Sequence, residues 1–210
     1  MTGVGRIRQV TENTHLNFYE LEARKRDGGT FPYYMASRAV SKDHLFMNEP
    51  SKGPDGVAVF GVYGEKADKV VLIRQYRYPL GGYVYEFPAG LVEPGEDIHR
   101  SAVREMKEET GLDLELEEAD PMFERPFFTT VGMTDENCSM VFGRCSGQVS
   151  SRFEESTEDI EVVLADRKEV LRILRQEQTT IICAYMLLQF LQHPGDPFAF
   201  LKLAAESGQK

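Results

Sequence analysis

The stretch that most limits what this chain can fold into is 90–112, Gly-Leu-Val-Glu-Pro-Gly-Glu-Asp-Ile-His-Arg-Ser-Ala-Val-Arg-Glu-Met-Lys-Glu-Glu-Thr-Gly-Leu. At about 100° per residue, Ile98, Ala102 and Met106 line up as one apolar stripe of a helix running from about Asp97 to Thr110. Glu105 and Glu109 are four residues apart and share a face, with Glu108 beside Glu105 at the i+3 position. Glu105 and Glu109 fall on the edge of the apolar stripe, turned towards the protein body, while Arg100, Arg104 and Lys107 take the outer side. A solvated charged helix normally places its acids opposite the apolar face. Carboxylates crowded at the rim of a core repel one another and lose hydration. A hard divalent cation relieves both penalties, and magnesium takes oxygen ligands together with water and phosphate. Gly111 suits the left-handed position that ends a helix, and Gly90 and Gly95 bracket a loop whose backbone can approach metal and phosphate closely. Taken alone, the Glu/Lys pattern also suits an ordinary solvated helix.

Around this segment the chain mixes strand and helix patterns without a strict strand–helix alternation, which favours a mixed α/β sandwich over a doubly wound sheet. Near the start, 16–23 and 31–36 flank the turn signal Arg26-Asp27-Gly28-Gly29 and read as a β-hairpin. A Pro/Gly-rich break at 48–56 is the best boundary, giving a β-rich segment 1–50 and a main domain 51–210. Strand-like runs follow at Val57–Tyr63, Lys69–Arg77 and Tyr83–Phe87, the last ended by Pro88-Ala89-Gly90. Further strands are expected at Met122–Thr129, Cys138–Cys145 and Ile160–Ala165, and amphipathic helices at Arg167–Gln176 and Thr179–Gln192.

Composition narrows the partners. The net charge of -10 over 210 residues argues against unassisted binding to nucleic acid, whose phosphates need a Lys/Arg surface. An anionic substrate would need a cation to mediate. No stretch approaches the roughly 18 apolar residues of a membrane span, and the first residues lack the apolar core of a signal peptide. Cys138, Cys145 and Cys183 show no metal-type spacing and read as buried thiols of a reducing cytoplasm. His15, His44, His99 and His193 are scattered and read as surface or packing residues.

Written as a pattern, 90–112 is G-x5-E-x7-R-E-(apolar)-x-E-E-x-G-(apolar), and it resembles the Nudix box with every defining position filled. The resemblance implies a loop–helix–loop on an α/β/α sandwich with an N-terminal antiparallel β-hairpin or sheet. It implies that Glu105, Glu108, Glu109 and the backbone carbonyl of Ala89 bind magnesium, with manganese an alternative. Glu96 and Arg104 would brace the helix by pairing. Metal ions would neutralise a pyrophosphate and activate water, and a carboxylate outside the helix would take the proton.

The flanks, Arg74-Gln75-Tyr76-Arg77-Tyr78-Pro79 and Glu86-Phe87-Pro88-Ala89-Gly90, resemble the ADP-ribose pyrophosphatase branch. They mark Arg74, Tyr76, Arg77 and Glu86 as substrate-binding candidates, with Tyr76 able to stack on a base. For each, a core or surface role is the alternative. The loop Thr129–Glu136 is similar to one where that branch usually shows Ser-Pro-Gly, here with Val131 in place of the proline. The acidic loop 154–162 aligns Glu158 with the branch's general base, and Glu155 is the runner-up. The N-terminal hairpin is similar to strands that the branch often places across a two-fold homodimer; it can equally cap its own sheet. The expected activity is hydrolysis of ADP-ribose to AMP and ribose 5-phosphate, with a GDP-mannose or UDP-glucose type nucleotide sugar as the alternative. A non-catalytic ADP-ribose sensor fits less well, because every box glutamate is present.

Overall fold

The computed structural model of the chain describes residues 2–150 and 159–202. They fall into two compact units, Met1–Asp55 with Pro126–Cys138, and Gly56–Arg125 with Ser139–Lys210.

In the first unit, β1 (Gly3–Gln9), β2 (Asn17–Arg24) and β3 (Thr30–Ser37) form an antiparallel sheet in the order β1-β2-β3. Alternation dictates which side is buried: Tyr19 and Leu21 of β2 and Met35 of β3 pack with Ala39 and Leu45, while Phe18, Glu22 and Tyr34 look outward. Gly28, at φ 90°, supplies the left-handed residue of the β2–β3 turn. The hairpin expected from the sequence is thus two-thirds of a sheet. Its third strand, β1, is a mostly exposed edge whose register shifts between Val4 and Ile7, so it carries no clean hydrophobic alternation to read. Residues 126–138 complete this unit. Ala36 N donates to Met133 O at 2.9 Å and the Tyr33 hydroxyl to Gly132 O at 2.6 Å. Phe46 and Phe128 meet edge to face at 4.8 Å.

The second unit is built on β4 (Gly56–Tyr63), β5 (Lys69–Arg77), β6 (Gly82–Glu86), β7 (Ala89–Leu91) and β8 (Asp113–Leu116). β10 (Asn137–Ser146), whose first two residues pair in the first unit with the two-residue β9 (Phe127–Phe128), and β11 (Ile160–Asp166) follow. The sheet order is β11-β5-β4-β10-β8, with β6 added on β5 and β7 on β4. Its strands are hydrophobic on both faces because both are covered by helices. One face sends Val57, Val59, Val71, Val141 and Cys145 against Ala102, Met106 and Leu112 of the helix α1 (Ile98–Thr110) and its end. The other sends Phe60, Val62, Val70, Leu72, Tyr85, Phe87 and Phe142 against α3 (Arg167–Gln176) and α4 (Ile181–Gln192). This is an α/β/α sandwich. Gly61 makes room on the α1 side, since a Cβ there would lie 2.6 Å from Cys145 Sγ and 3.0 Å from Met106 Cε.

The strand expected over Met122–Thr129 is a correction: Pro121–Glu124 is a short helix, α2, and only Phe127–Phe128 is strand. Asp120 caps the first turn by accepting from Met122 N at 2.9 Å, and Pro121 presets its φ.

Candidate active site

The site grows from two backbone features. After β6 the chain turns through Phe87 and Pro88, and Pro88 O accepts from Val59 N at 2.8 Å, laying β7 beside β4 in the register Val57↔Gly90 and Ala58↔Ala89. Then α1 begins at the Asp97 cap, which accepts from His99 N and Arg100 N, and ends at Gly111, φ 75°. The helix therefore runs with its acids against β7. Glu109, only 4% exposed, accepts from Ala89 N at 3.0 Å. Glu105 lies so close to the strand that a Cβ on Gly90 would fall 1.9 Å from its Oε1. Any side chain at that position would displace the Glu105 carboxylate.

Arg104 ties the acids together. Its Nη1 donates to Glu105 Oε1 at 2.6 Å and to Glu108 Oε2 at 3.0 Å. On the other edge, Nε and Nη2 donate to Glu96 at 3.3 and 3.0 Å, and Nη2 also reaches Leu91 O at 3.0 Å. The sequence placed Arg104 on the outer side of the helix; instead its guanidinium folds back over the acids, because five oxygen acceptors lie within reach of its fork. The Arg104 hydrogen bonds, helped by the Ser101 hydroxyl at 2.6 Å, hold the Glu96 carboxyl well below the usual range, at about 2. The same pairing with Glu96 pushes the Arg104 pKa up. Neither Ser101 nor the Leu91 carbonyl was singled out from sequence. A serine on a helix and a backbone oxygen carry no signal there.

The donor set suits a hard cation. Among the described residues, no three acidic, His or Cys side chains close on one point. Two carboxylates do converge, Glu105 and Glu108, and the group between them is the positive Nη1 of Arg104. Carboxylate oxygens of this kind are the donors that a hard divalent cation takes.

The four candidates on β5 and β6 do not stay together. The register Arg74↔Tyr85, Tyr76↔Tyr83 and Ile73↔Glu86 puts Arg74 and Tyr76 on the α3–α4 face, and Arg77 and Glu86 on the α1 face. Arg77 and Glu86 form a two-toothed ion pair, Nε–Oε1 2.6 Å and Nη2–Oε2 3.2 Å, three residues upstream of Ala89. On the other face the Arg74 guanidinium stacks 4.1 Å over the Tyr83 ring, and Tyr76 meets Tyr83 edge to face at 5.4 Å. The Tyr83 hydroxyl donates to Asp159 at 2.6 Å. Tyr83 was missed in the sequence because its role depends on cross-strand register. Glu158 and Glu155 lie outside the described residues. The loop Thr129–Glu136 belongs to the first unit. There Val131, Thr134 and Asp135 line an apolar pocket of about 350 Å³ with Leu21, Met35 and Phe46.

The family model of the NUDIX domain matches residues 52–184, so the chain belongs to the Nudix hydrolase family. Within it, the chain is similar to the ADP-ribose pyrophosphatase of Bacillus subtilis (strain 168), at 28% identity over 79% of this chain and 86% of that one. It is also similar to the ADP-ribose pyrophosphatase of Saccharomyces cerevisiae, 39% identical over 40% of this chain and 38% of the relative. The chain spans between 33% and 63% of the length of the first curated relatives it matches. A solved structure described as an ADP compounds hydrolase superposes with a TM-score of 0.65, covering 92% of this chain and 96% of that one at 16% identity, which establishes the shared fold.

Proposed function

We propose that this Nudix protein is a magnesium-dependent pyrophosphatase of nucleoside diphosphate sugars, with ADP-ribose, cut to AMP and ribose 5-phosphate, as its first substrate. Manganese is the alternative metal. The observation that carries the reading is the convergence of Glu105 and Glu108 on one cationic point, beside a strand whose Gly90 lies directly against the Glu105 carboxylate and whose Ala89 N–H donates to Glu109. The names of the relatives support the substrate class.

When bound, a divalent ion supplies charge neutralisation for the diphosphate and for the leaving phosphate. The chain's own groups do the rest. Glu105, Glu108 and Glu109 hold the ion, with the Ala89 carbonyl as a further ligand. Arg104, anchored by Glu96, fixes the helix. A water attacks one phosphorus, the bridging P–O bond breaks towards the other phosphate, and the water's proton passes to Glu158. Arg77 and Glu86, on the α1 side of the sheet, contact the substrate from near Ala89, and the Arg74–Tyr83–Tyr76 cluster offers an aromatic surface for a base. The chain acts as a homodimer, its N-terminal strands meeting a second copy. No helix among the described residues is long and apolar enough to cross a membrane. None of Cys138, Cys145 and Cys183 is in a disulfide, which suits a reducing cytoplasm.

The test is turnover of ADP-ribose, GDP-mannose and UDP-glucose by the purified chain with magnesium, followed by chromatography of the nucleotide products. AMP from ADP-ribose is expected. Faster cleavage of either other compound replaces the substrate, and binding of ADP-ribose without cleavage would make the protein a sensor. Glu109→Gln should remain folded and lose at least about a thousandfold in kcat, the scale of losing a metal-site charge. A normally active variant would remove Glu109 from the metal site.

A further inference from the structure

We infer that Arg104 competes with the divalent ion for Glu105 and Glu108, and so sets how tightly the ion is held. The inference rests on the proposed metal site and deepens it. One nitrogen, Nη1, lies 2.6 Å from Glu105 Oε1 and 3.0 Å from Glu108 Oε2, so an ion that takes both oxygens must take the place of that nitrogen. A guanidinium does not deprotonate in a protein, so it cannot vacate the position by losing its charge. It can vacate only by keeping its other partners. Those are on its far edge: Nε and Nη2 on Glu96 at 3.3 and 3.0 Å, and Nη2 on Leu91 O at 3.0 Å. Glu96 is itself fixed by the Ser101 hydroxyl at 2.6 Å. One planar group is thus shared between an anchor, Glu96, and the pair of carboxylates that take the ion. Strengthening the anchor frees the pair for the ion, and weakening it throws the guanidinium back on the pair.

This arrangement separates competition from simple bracing, because the two residues of the pair then act in opposite directions. Manganese binding to the full-length chain, read from the electron paramagnetic resonance of free Mn2+, is the measurement. Removing the competitor in Arg104→Gln should tighten Mn2+ about tenfold, the order of one lost charge-assisted contact. Removing the anchor's charge in Glu96→Gln should weaken it about three- to tenfold. Circular dichroism checks that each variant is folded. If Arg104→Gln is not, Arg104→Met takes its place. It covers similar surface with no charge to set between Glu105 and Glu108, so it too should bind Mn2+ more tightly than the wild type. If Arg104 only braces the helix, both substitutions loosen the ion, and the inference is overturned. Absence of Mn2+ binding by the wild-type chain overturns the metal site itself. Wild-type binding with no tightening in the Arg104 variants overturns only the competition.

Discussion

Gly90 shows how much can depend on one absent side chain. Because a Cβ there would sit 1.9 to 2.4 Å from the three atoms of the Glu105 carboxylate, Gly90→Ala must push that carboxylate aside. We expect kcat for the preferred nucleotide sugar to fall about a hundredfold, the usual cost of a misplacement near 1 Å, with circular dichroism unchanged. Undiminished turnover would show that the position of Glu105 is irrelevant to the chemistry. Glu96 gives a pH signature. Its folded pKa, about 2, lies below its ordinary value, so the carboxylate stabilises the fold above about pH 4.5, and that contribution disappears as pH falls towards 2. Wild type and Glu96→Gln should therefore differ in thermal midpoint at pH 7 and converge between about pH 4.5 and 2. A constant gap across that window would mean that the pairing with Arg104 does not act through charge. That Glu105 and Glu109 turn towards the protein body was legible in the sequence from helical spacing. The inward fold of Arg104 was not, because a long flexible side chain chooses its direction from acceptors that come together only in three dimensions.

Among the elements, α1 is the one fixed most fully by local chemistry. Its Asp97 cap, Ile98–Ala102–Met106 stripe and terminal Gly111 are all local signals, and the observed span Ile98–Thr110 follows them. Asp97→Ala should cost about 1 kcal/mol in chemical denaturation, the ordinary cost of losing a helix cap. Gly111→Ala should cost more. A left-handed alanine alone loses about 1–2 kcal/mol, and its Cβ would lie 2.8 Å from Ser150 N and 2.9 Å from Ser150 O. Equal costs would indicate that the backbone at 150 yields freely. Long strands such as β5 and β11 were readable for the same reason as α1, as continuous apolar runs. The three-residue β7 and four-residue β8 were not, since so short a piece holds no period; pairing with β4 and β10 makes them strands. Register also explains the division of the substrate candidates. Arg74 and Arg77 are three apart in one strand, so they necessarily point to opposite faces, and only the burial of their neighbours shows which face carries α1.

At the scale of the whole molecule, the core of the second unit is divided by its sheet into two hydrophobic clusters, each closed by its own helices. Leu72→Ala, at a fully buried position on the α3–α4 side, should cost about 2–5 kcal/mol and lower the thermal midpoint by several degrees. The first unit poses a different problem, because it is not continuous in sequence. Residues 2–55 made as a separate peptide lack Gly132, Met133 and Asp135, which accept from Tyr33, Ala36 and Phe46 respectively, and the Phe128 ring beside Phe46. On a ribosome the same order is unavoidable. The first three strands emerge early, yet their remaining contacts arrive only after Gly56–Arg125 has been threaded out, a delay of several seconds at about 5–20 residues per second. For that interval the nascent sheet keeps a bare flank, and cellular chaperones have a window in which to meet it.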